Sequence, residues 1–213
     1  MAGSIPKSSD SGAAGRRPFV LASGSPARLG LLRAAGLDPI VVVSGVDEES
    51  VVEDDPRVLV ATLAELKAAA VAARDDLPGD AVVLGCDSLL WFDGTVRGKP
   101  GTAALATAHW REMRGRAGVL LTGHHLIDRA TGRGVTEVAE AVVRFGEPTD
   151  DEIAALVASG EPLEVAGGFT VDGRAAAFVE DIAGHPGTVM GTSMPTLRRL
   201  LTELDLRITD LWH

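Results

Sequence analysis

The sequence "VVLGCDSLLWFDGTVRGKP", residues 82–100, predicts a central strand of the fold, because a continuous apolar run leads directly into the polar pair Asp87 and Ser88. Uninterrupted apolar residues predict a strand that is covered on both faces, since a strand with one solvated face alternates apolar and polar residues. We expect this strand to end near Cys86, so that Asp87 and Ser88 follow at its carboxyl end. Open α/β sheets bind their ligands at that end of the strands.

The second half of the same stretch predicts a hairpin. Asp93 and Gly94 are typical of a two-residue turn between antiparallel strands. The chain would then double back and bring Lys99 close to Asp87. A carboxylate that caps nearby N–H groups and a solvated lysine explain the same residues equally well, so the sequence leaves both interpretations open.

Further apolar runs indicate the rest of the sheet. They alternate with segments of helical periodicity, and they span residues 19–23, 40–44, 81–86, 119–127 and 138–145. The alternation predicts an α/β fold in which a mixed sheet is flanked by helices.

Capping residues predict where the helices begin. We expect helices to start after Ser25, Asp55, Thr102 and Thr149, and at Pro195. The helix after Asp55 has apolar residues at spacings of four, three and four, which predict one buried stripe: Leu59, Leu63, Leu66 and Ala70. Lys67 would lie beside this stripe.

The loop before the first helix combines two hydroxyl groups with a cation. Ser25 suits a helix N-cap and Pro26 suits the first helical position. Ser23, Ser25 and Arg28 also suit an anion site, because the exposed N–H groups of a helix start attract phosphate and the guanidinium adds a fixed charge. From these residues alone both interpretations stay open.

A second acidic group, Asp47 with Glu48 and Glu49, follows the apolar run at 40–44. Two carboxylates from separate strand ends commonly hold Mg²⁺, which prefers oxygen ligands. Asp47 and Asp87 are therefore candidate metal ligands, and a solvated acidic loop is the alternative.

The histidines and the cysteine are weaker candidates. His124 and His125 are adjacent on a predicted strand, so they would point to opposite faces and could not share a metal. Cys86 is the one cysteine of the chain and cannot form an intrachain disulfide. This agrees with a reducing, cytoplasmic location, and we interpret Cys86 as a structural thiol.

Composition limits the partners of this chain. A formal net charge of −10 over 213 residues argues against a nucleic-acid polymer, whose binding needs many clustered cations. Residues 1–17 are small and polar and resemble neither a secretory signal nor a membrane span, so we expect a flexible tail and no membrane partner. Residues 18–213 are predicted to form a single domain.

Five patterns occur in order between about residue 19 and residue 204. They are "LASGSPARLGLLRAAGL", "LAELKAAAVA", "GCDSLLWFDGTVRGKP", "MRGRAGVLLTG" and "AGGFTVDGRAAAFVEDIAGHPGTVMGTSMPTLRRLL". Together they resemble the Maf family of nucleoside triphosphate pyrophosphatases. The resemblance implies a fold similar to that of the inosine triphosphate pyrophosphatases, in which an elongated mixed sheet carries two lobes around a central cleft.

The resemblance also implies an activity. A nucleoside triphosphate, normal or modified, would be hydrolysed to the monophosphate and pyrophosphate with a divalent cation, Mg²⁺ or Mn²⁺, as cofactor. Family members have been connected with septum formation, so a nucleotide-sensing regulator of cell division without turnover is the alternative. A homodimer is left open.

Family roles can be assigned to positions of this chain. The catalytic carboxylate, which would also bind the metal, falls on Asp87, and a second metal ligand falls on Asp47. The phosphate-binding residues would be Ser23, Ser25, Arg28, Lys67 and Lys99.

The chain departs from the family pattern at positions associated with base recognition. Ala27 replaces an arginine, Ser88 replaces a threonine, and Asp172 replaces a glutamine. Val165 stands where a lysine is typical. We therefore expect the hydrolytic apparatus to be kept and the recognition of dTTP and UTP to be altered.

Overall fold

The protein is described by a computed structural model that covers residues 16–213. Within that range one mixed sheet has seven strands: β1 Phe19–Leu21, β2 Ile40–Val41, β3 Val82–Phe92, β4 Thr95–Arg97, β5 Ala117–Asp128, β6 Arg133–Phe145 and β7 Val179–Gly184. The α-helices of the described residues are α1 Pro26–Ala34, α2 Pro56–Ala72, α3 Ala103–Met113, α4 Asp150–Ala158, α5 Pro186–Val189 and α6 Met194–Glu203. Residues 1–15 of the predicted tail lie outside the described residues.

The strand order is β2-β1-β3-β5-β6-β7, and β4 also pairs with β3. β1 runs parallel to β2 and β3, whereas the other pairs are antiparallel. The predicted α/β class with a mixed sheet flanked by helices is therefore confirmed. No helix of residues 16–213 combines the length and the apolar composition that a membrane span requires.

The central strand β3 is longer than predicted. It continues from Cys86 to Phe92, and Asp87 and Ser88 pair with Gly123 and Thr122 of β5. The expectation that both residues follow the end of a strand was wrong, because the long strand β5 supplies hydrogen-bond partners past Cys86. Their side chains therefore point to opposite faces of the sheet.

One edge of β3 has a gap. β5 occupies the other edge, whereas β1 pairs only with residues 82–84 and β4 only with residues 90–92. Within the described chain, residues 85–89 thus have no strand beside them on this edge, and Asp87 and Ser88 lie in the gap.

Separate apolar cores lie toward the two ends of β3. One core packs Leu84 against Leu21 and Leu200, and the other packs Phe92 against Trp110 and Phe145. The gap falls between them, which agrees with two lobes around a central cleft.

Most predicted helix starts are confirmed. Ser25, Asp55 and Thr102 cap α1, α2 and α3, and Thr149 with Glu152 forms the capping box of α4. The last helix begins one residue before Pro195, after an N-cap at Ser193.

The predicted strand at 40–44 is reduced to a short edge strand. Ile40 and Val41 are 45% and 42% exposed, so the expectation of cover on both faces was wrong. β7 was not predicted, because its sequence "VEDIAG" lacks a continuous apolar run.

The buried stripe of α2 is rotated relative to the prediction. Of the four predicted residues only Leu63 is buried, and Leu66 is 41% exposed. The buried positions are Val60, Leu63, Ala64, Lys67, Ala68 and Val71, so Lys67 lies within the stripe. The sequence pattern missed this, because a buried lysine is uncommon unless it has an ionic partner.

Candidate active site

Lys67 joins two carboxylates above the gap in β3. Its Nζ lies 2.6 Å from Asp87 Oδ1 and 2.8 Å from Glu48 Oε1. Lys67 and Asp87 are only 6% and 8% exposed, whereas the Glu48 side chain is 51% exposed. A buried cation and a buried carboxylate are thus paired at the gap, and the more exposed Glu48 also contacts the lysine.

Glycines in the sheet bring Lys67 to this position. A Cβ atom on Gly85 would lie 2.2 Å from Ala64 O, and one on Gly123 would lie 2.1 Å from Val60 O. Both distances are impossible for real side chains, so only glycine lets α2 approach β3 and β5 this closely. The close approach places the turn of α2 that carries Lys67 beside Asp87.

Arg28 lies on the other face of β3. From the first turn of α1, its Nη1 donates to Ser23 Oγ at 3.0 Å and its Nη2 donates to Ser88 Oγ at 3.1 Å. Its Nε donates to the carbonyl of Gly191 at 3.0 Å. Three partners from three parts of the chain therefore fix the guanidinium at the gap.

A chain of hydroxyl groups orients Ser88. Thr122 Oγ1 donates to the carbonyl of Thr188 at 2.8 Å, so the hydroxyl of Ser88 is the donor in its 2.9 Å contact with Thr122. Ser88 Oγ then accepts from Arg28. Ser88 therefore positions Arg28.

Ser23 and Ser25 accept hydrogen bonds at the start of α1. Ser23 Oγ accepts from Arg28 and from the backbone N–H of Ser25 at 3.2 Å. Ser25 Oγ accepts from the backbone N–H of Arg28 at 3.4 Å, which confirms the capping interpretation of Ser25. The phosphate-binding interpretation is compatible with this geometry and stays a prediction.

The predicted hairpin is present, but another lysine pairs with Asp87. Asp93 and Gly94 have φ of 51° and 77° between β3 and β4, as a tight hairpin turn requires. Lys99 is exposed, and no ion pair of Lys99 is found within residues 16–213. The carboxylate–lysine pair is thus formed by Lys67, and the phosphate-binding role of Lys99 stays a prediction.

Asp47 supports the turn that carries Glu48. Its Oδ1 accepts from the backbone N–H of Glu49 at 3.2 Å and caps the 3₁₀ turn Glu48–Ser50. The sequence singled out the acidic group but did not favour Glu48, because three consecutive carboxylates give no signal for which one points inward. The metal-binding role of Asp47 stays a prediction.

A divalent cation fits the donor set of this site. Within residues 16–213 no cluster of three or more histidine, cysteine or acidic side chains forms a metal site. The carboxylates of Asp87 and Glu48 nevertheless converge on one cation, Lys67 Nζ. Mg²⁺ commonly takes one or two carboxylates together with substrate phosphate oxygens, so two protein ligands are sufficient.

Two of the predicted base-specificity positions share a cavity. Ala27 and Asp172 line a cavity of about 450 Å³ that lies between α1 and the loop before β7. Val165 and Met190 also line it. Ser88, the third predicted position, contacts Arg28 instead.

The histidine and cysteine predictions agree with the structure. His124 is fully buried and its Nε2 accepts from the backbone N–H of Ser193 at 2.8 Å, whereas His125 contacts Thr136 Oγ1 on the other face. Burial and the charge of Arg28 lower the pKa of His124 to about 4. Burial raises the pKa of the Cys86 thiol, which argues against a nucleophile.

Comparison with known proteins identifies the family. The model of the Maf family, described as "Maf-like protein", matches residues 18–204. The chain belongs to the Maf family. Membership accounts for the order of the five sequence patterns along the chain.

Similar proteins come from several organisms. The chain is 61% identical over 197 residues to a protein of Streptomyces coelicolor, covering 92% of this chain and 95% of that protein. It is 54% identical over 196 residues to a protein of Salinispora tropica, covering 91% and 87% respectively. It is 50% identical over 194 residues to a protein of Thermosynechococcus vestitus, covering 91% and 97%. Each of these relatives is named nucleoside triphosphate pyrophosphatase.

Proposed function

We infer that this chain is a nucleoside triphosphate pyrophosphatase, a hydrolase that cleaves an acid anhydride to release pyrophosphate and a nucleoside monophosphate. The observation that carries the inference is the pairing of Asp87 with Lys67 on one face of the gap and of Ser88 with Arg28 on the other. A triphosphate in the gap would meet a cation on each side. The names of the relatives support the same reading.

Asp87 is the proposed catalytic carboxylate. It would orient a water molecule toward the α-phosphorus and accept its proton as the pyrophosphate leaves. A carboxylate by itself is a weak base toward water, so the attacking water needs further activation. The carboxylates of Asp87 and Glu48 would hold a divalent cation here, which would supply that activation by lowering the pKa of a bound water.

Asp87 and Asp47 are the proposed metal ligands, and we add Glu48 to them. Asp47 caps the turn in which Glu48 contacts Lys67, so both carboxylates belong to one short segment. The metal would be Mg²⁺ or Mn²⁺.

The remaining cations are proposed to bind phosphate. Lys67, Arg28 and Lys99 would neutralise the charge that develops on the leaving pyrophosphate, while Ser23 and Ser25 present the start of α1. A local group of cations is compatible with a net charge of −10, because charges beyond about 8 Å are screened at physiological ionic strength.

The cavity beside α1 is proposed to receive the base. Asp172 can only accept hydrogen bonds, whereas an amide at this position could also donate. Ala27 lacks the guanidinium that the family pattern offers. The cavity therefore favours bases that present donor groups, or tolerates several bases, over the carbonyl-rich edge of thymine and uracil.

We place the protein in the cytoplasm as a soluble enzyme of nucleotide metabolism that acts on normal or modified triphosphates. The buried Cys86 thiol supports a reducing compartment, since the chain has no second cysteine for an intrachain disulfide.

A substrate panel tests the function. Normal and modified nucleoside triphosphates are incubated with the protein and Mg²⁺, and pyrophosphate and orthophosphate are measured separately. We expect pyrophosphate with the matching monophosphate. Binding without release of pyrophosphate would contradict the enzyme and favour a nucleotide-sensing regulator, and release of orthophosphate alone would indicate a phosphatase.

A further inference from the structure

Glu161 holds the loop that carries Asp172. Its Oε1 accepts from Thr170 Oγ1 at 2.7 Å and from the backbone N–H of Ala175 at 3.0 Å. Its Oε2 accepts from the backbone N–H of Arg174 at 2.8 Å. One carboxylate thus receives three hydrogen bonds from residues on both sides of Asp172.

The loop depends on these contacts for its shape. Residues 171–173 have neither helical nor strand structure, and Asp172 itself is exposed. Burial raises the pKa of the Glu161 carboxyl, but the hydrogen bonds from the loop lower it by more, so the pKa lies below its ordinary value. The carboxylate is therefore charged at neutral pH, and charge-assisted hydrogen bonds are about twice as strong as neutral ones.

The turn closes tightly on the carboxylate. A Cβ atom on Gly173 would lie 2.5 Å from Thr170 Oγ1 and 2.7 Å from Glu161 Oε1. A side chain at position 173 would therefore displace the ends of Thr170 and Glu161, so the backbone beside Asp172 packs directly against these two side chains.

The segment that carries Glu161 is itself anchored to the rest of the protein. The backbone N–H of Gly101 donates to Leu163 O at 3.0 Å, and that of Gly167 donates to Gly98 O at 3.0 Å. Trp110 Nε1 donates to Gly168 O at 2.9 Å. Glu161 thus extends from a fixed segment, and this allows it to set the position of the loop.

We propose that Glu161 is a positioning residue that fixes Asp172 at the cavity beside Ala27 and thereby sets the discrimination between bases. The proposal rests on the proposed function, because it assigns the base to that cavity. Glu161 itself touches neither the phosphates nor the reacting atoms. Its loss should therefore change base recognition and leave the chemical step intact.

The test compares Glu161→Gln with a matched control. An amide offers one oxygen and one NH₂ group, so it cannot accept all three hydrogen bonds that converge on the carboxylate. Glu164→Gln makes the same change in the same 3₁₀ turn, Glu161–Glu164, at an exposed position. Thr170→Val removes one of the three bonds and serves if Glu161→Gln does not fold.

Two measurements are made on each full-length variant. Amide hydrogen exchange measures how well the backbone N–H groups of the loop are protected. We expect faster exchange at Arg174 and Ala175 in Glu161→Gln but not in Glu164→Gln. Steady-state kinetics with GTP, CTP, ATP and UTP report recognition. We expect the ratio of kcat/KM between the best and the poorest base to fall about tenfold, through KM, while kcat changes less than about threefold.

The outcomes separate this proposal from the proposed function. If the wild-type protein binds these nucleotides without turnover, the proposed pyrophosphatase activity is contradicted but the role of Glu161 is not. Base discrimination is then measured as ratios of Kd from calorimetry instead of ratios of kcat/KM. Unchanged exchange at Arg174 and Ala175 overturns the role of Glu161. So does a wild-type protein that does not discriminate between bases, or a uniform fall of kcat for every base with the ratios preserved.

Discussion

Asp87 and Ser88 are neighbours on β3, yet their side chains contact different cations on opposite faces of the sheet. Asp87 Oδ1 lies 2.6 Å from Lys67 Nζ, and Ser88 Oγ lies 3.1 Å from Arg28 Nη2. Both contacts lie at the gap between β1 and β4, where the edge of β3 is free of strands in the described chain. Two adjacent residues of one strand thus contact the two cations, Lys67 and Arg28, that we propose to bind phosphate from opposite sides.

Asp87→Asn should lower kcat by about two or more powers of ten, because the amide keeps the shape of the carboxylate but cannot accept the proton of the attacking water. Nucleotide binding should change little and the fold should be kept, whereas the unfolding midpoint should fall, because the buried Lys67 loses its nearest ionic partner. Asp75→Asn, at an exposed position, is the control. Pyrophosphate release near the wild-type rate would remove Asp87 from the catalytic role.

Lys99→Ala should raise KM and lower kcat together, since a cation on the phosphates acts both on the bound substrate and in the transition state. Lys67→Met provides the comparison, because Lys67 already contacts Asp87. We expect Lys67→Met to cost more in kcat than Lys99→Ala. Unchanged kinetics of Lys99→Ala would mean that Lys99 stays outside the cleft.

Base preference should respond to Asp172→Gln combined with Ala27→Arg. The amide and the guanidinium supply donors that the native cavity lacks, so the double variant should shift preference toward dTTP and UTP. The native protein should show no strong preference for them. The comparison is kcat/KM across the panel, and a native preference of about a hundredfold for dTTP or UTP, roughly 2.7 kcal/mol, would contradict the prediction.

Gly85→Ala should destabilise the protein and separate Lys67 from Asp87. The added Cβ would meet Ala64 O at 2.2 Å, so α2 must move away from the sheet. We expect a loss of about 1–3 kcal/mol in the free energy of unfolding, together with reduced turnover. Gly79→Ala, which places its Cβ in open space, is the control in urea unfolding and in kinetics. Equal free energies of unfolding for the two variants would contradict the prediction, because α2 would then move away from the sheet without loss of stability.

Stability should fall in mild acid because of His124. Its pKa is about 4 in the folded protein and about 6.5 in the unfolded chain, so the unfolded state binds more protons between these values. Its full contribution to stability is present above about pH 6.5 and is lost as the pH falls toward 4, to a total of about 3 kcal/mol.

Urea unfolding at pH 7.5 and at pH 4.5 measures this effect. His124→Gln should show a smaller loss on acidification than the wild-type protein. His125→Gln is the control, because burial also lowers the pKa of His125 but leaves that side chain partly exposed. The same pH dependence in wild type and His124→Gln would contradict the prediction.

The sequence alone determined the features that depend on neighbouring residues. N-caps such as Asp55 and Thr102, the Asp93-Gly94 turn and the apolar runs of the sheet act within a few residues, so the helix starts, the hairpin and the α/β class could be predicted. The ordered patterns of the Maf family also identified Asp87, Lys67 and Arg28 as candidates, because those patterns place chemically distinctive side chains at fixed positions.

Tertiary structure decided which of these side chains meet. Lys67 rather than Lys99 pairs with Asp87 because Gly85 and Gly123, on two different strands, allow α2 to approach the sheet. Likewise Ala27 shares a cavity with Asp172, which is distant in the sequence, and Glu161 bonds to the Asp172 loop from a separate 3₁₀ turn. Such contacts depend on the distance between packed elements, and local sequence patterns contain no measure of that distance.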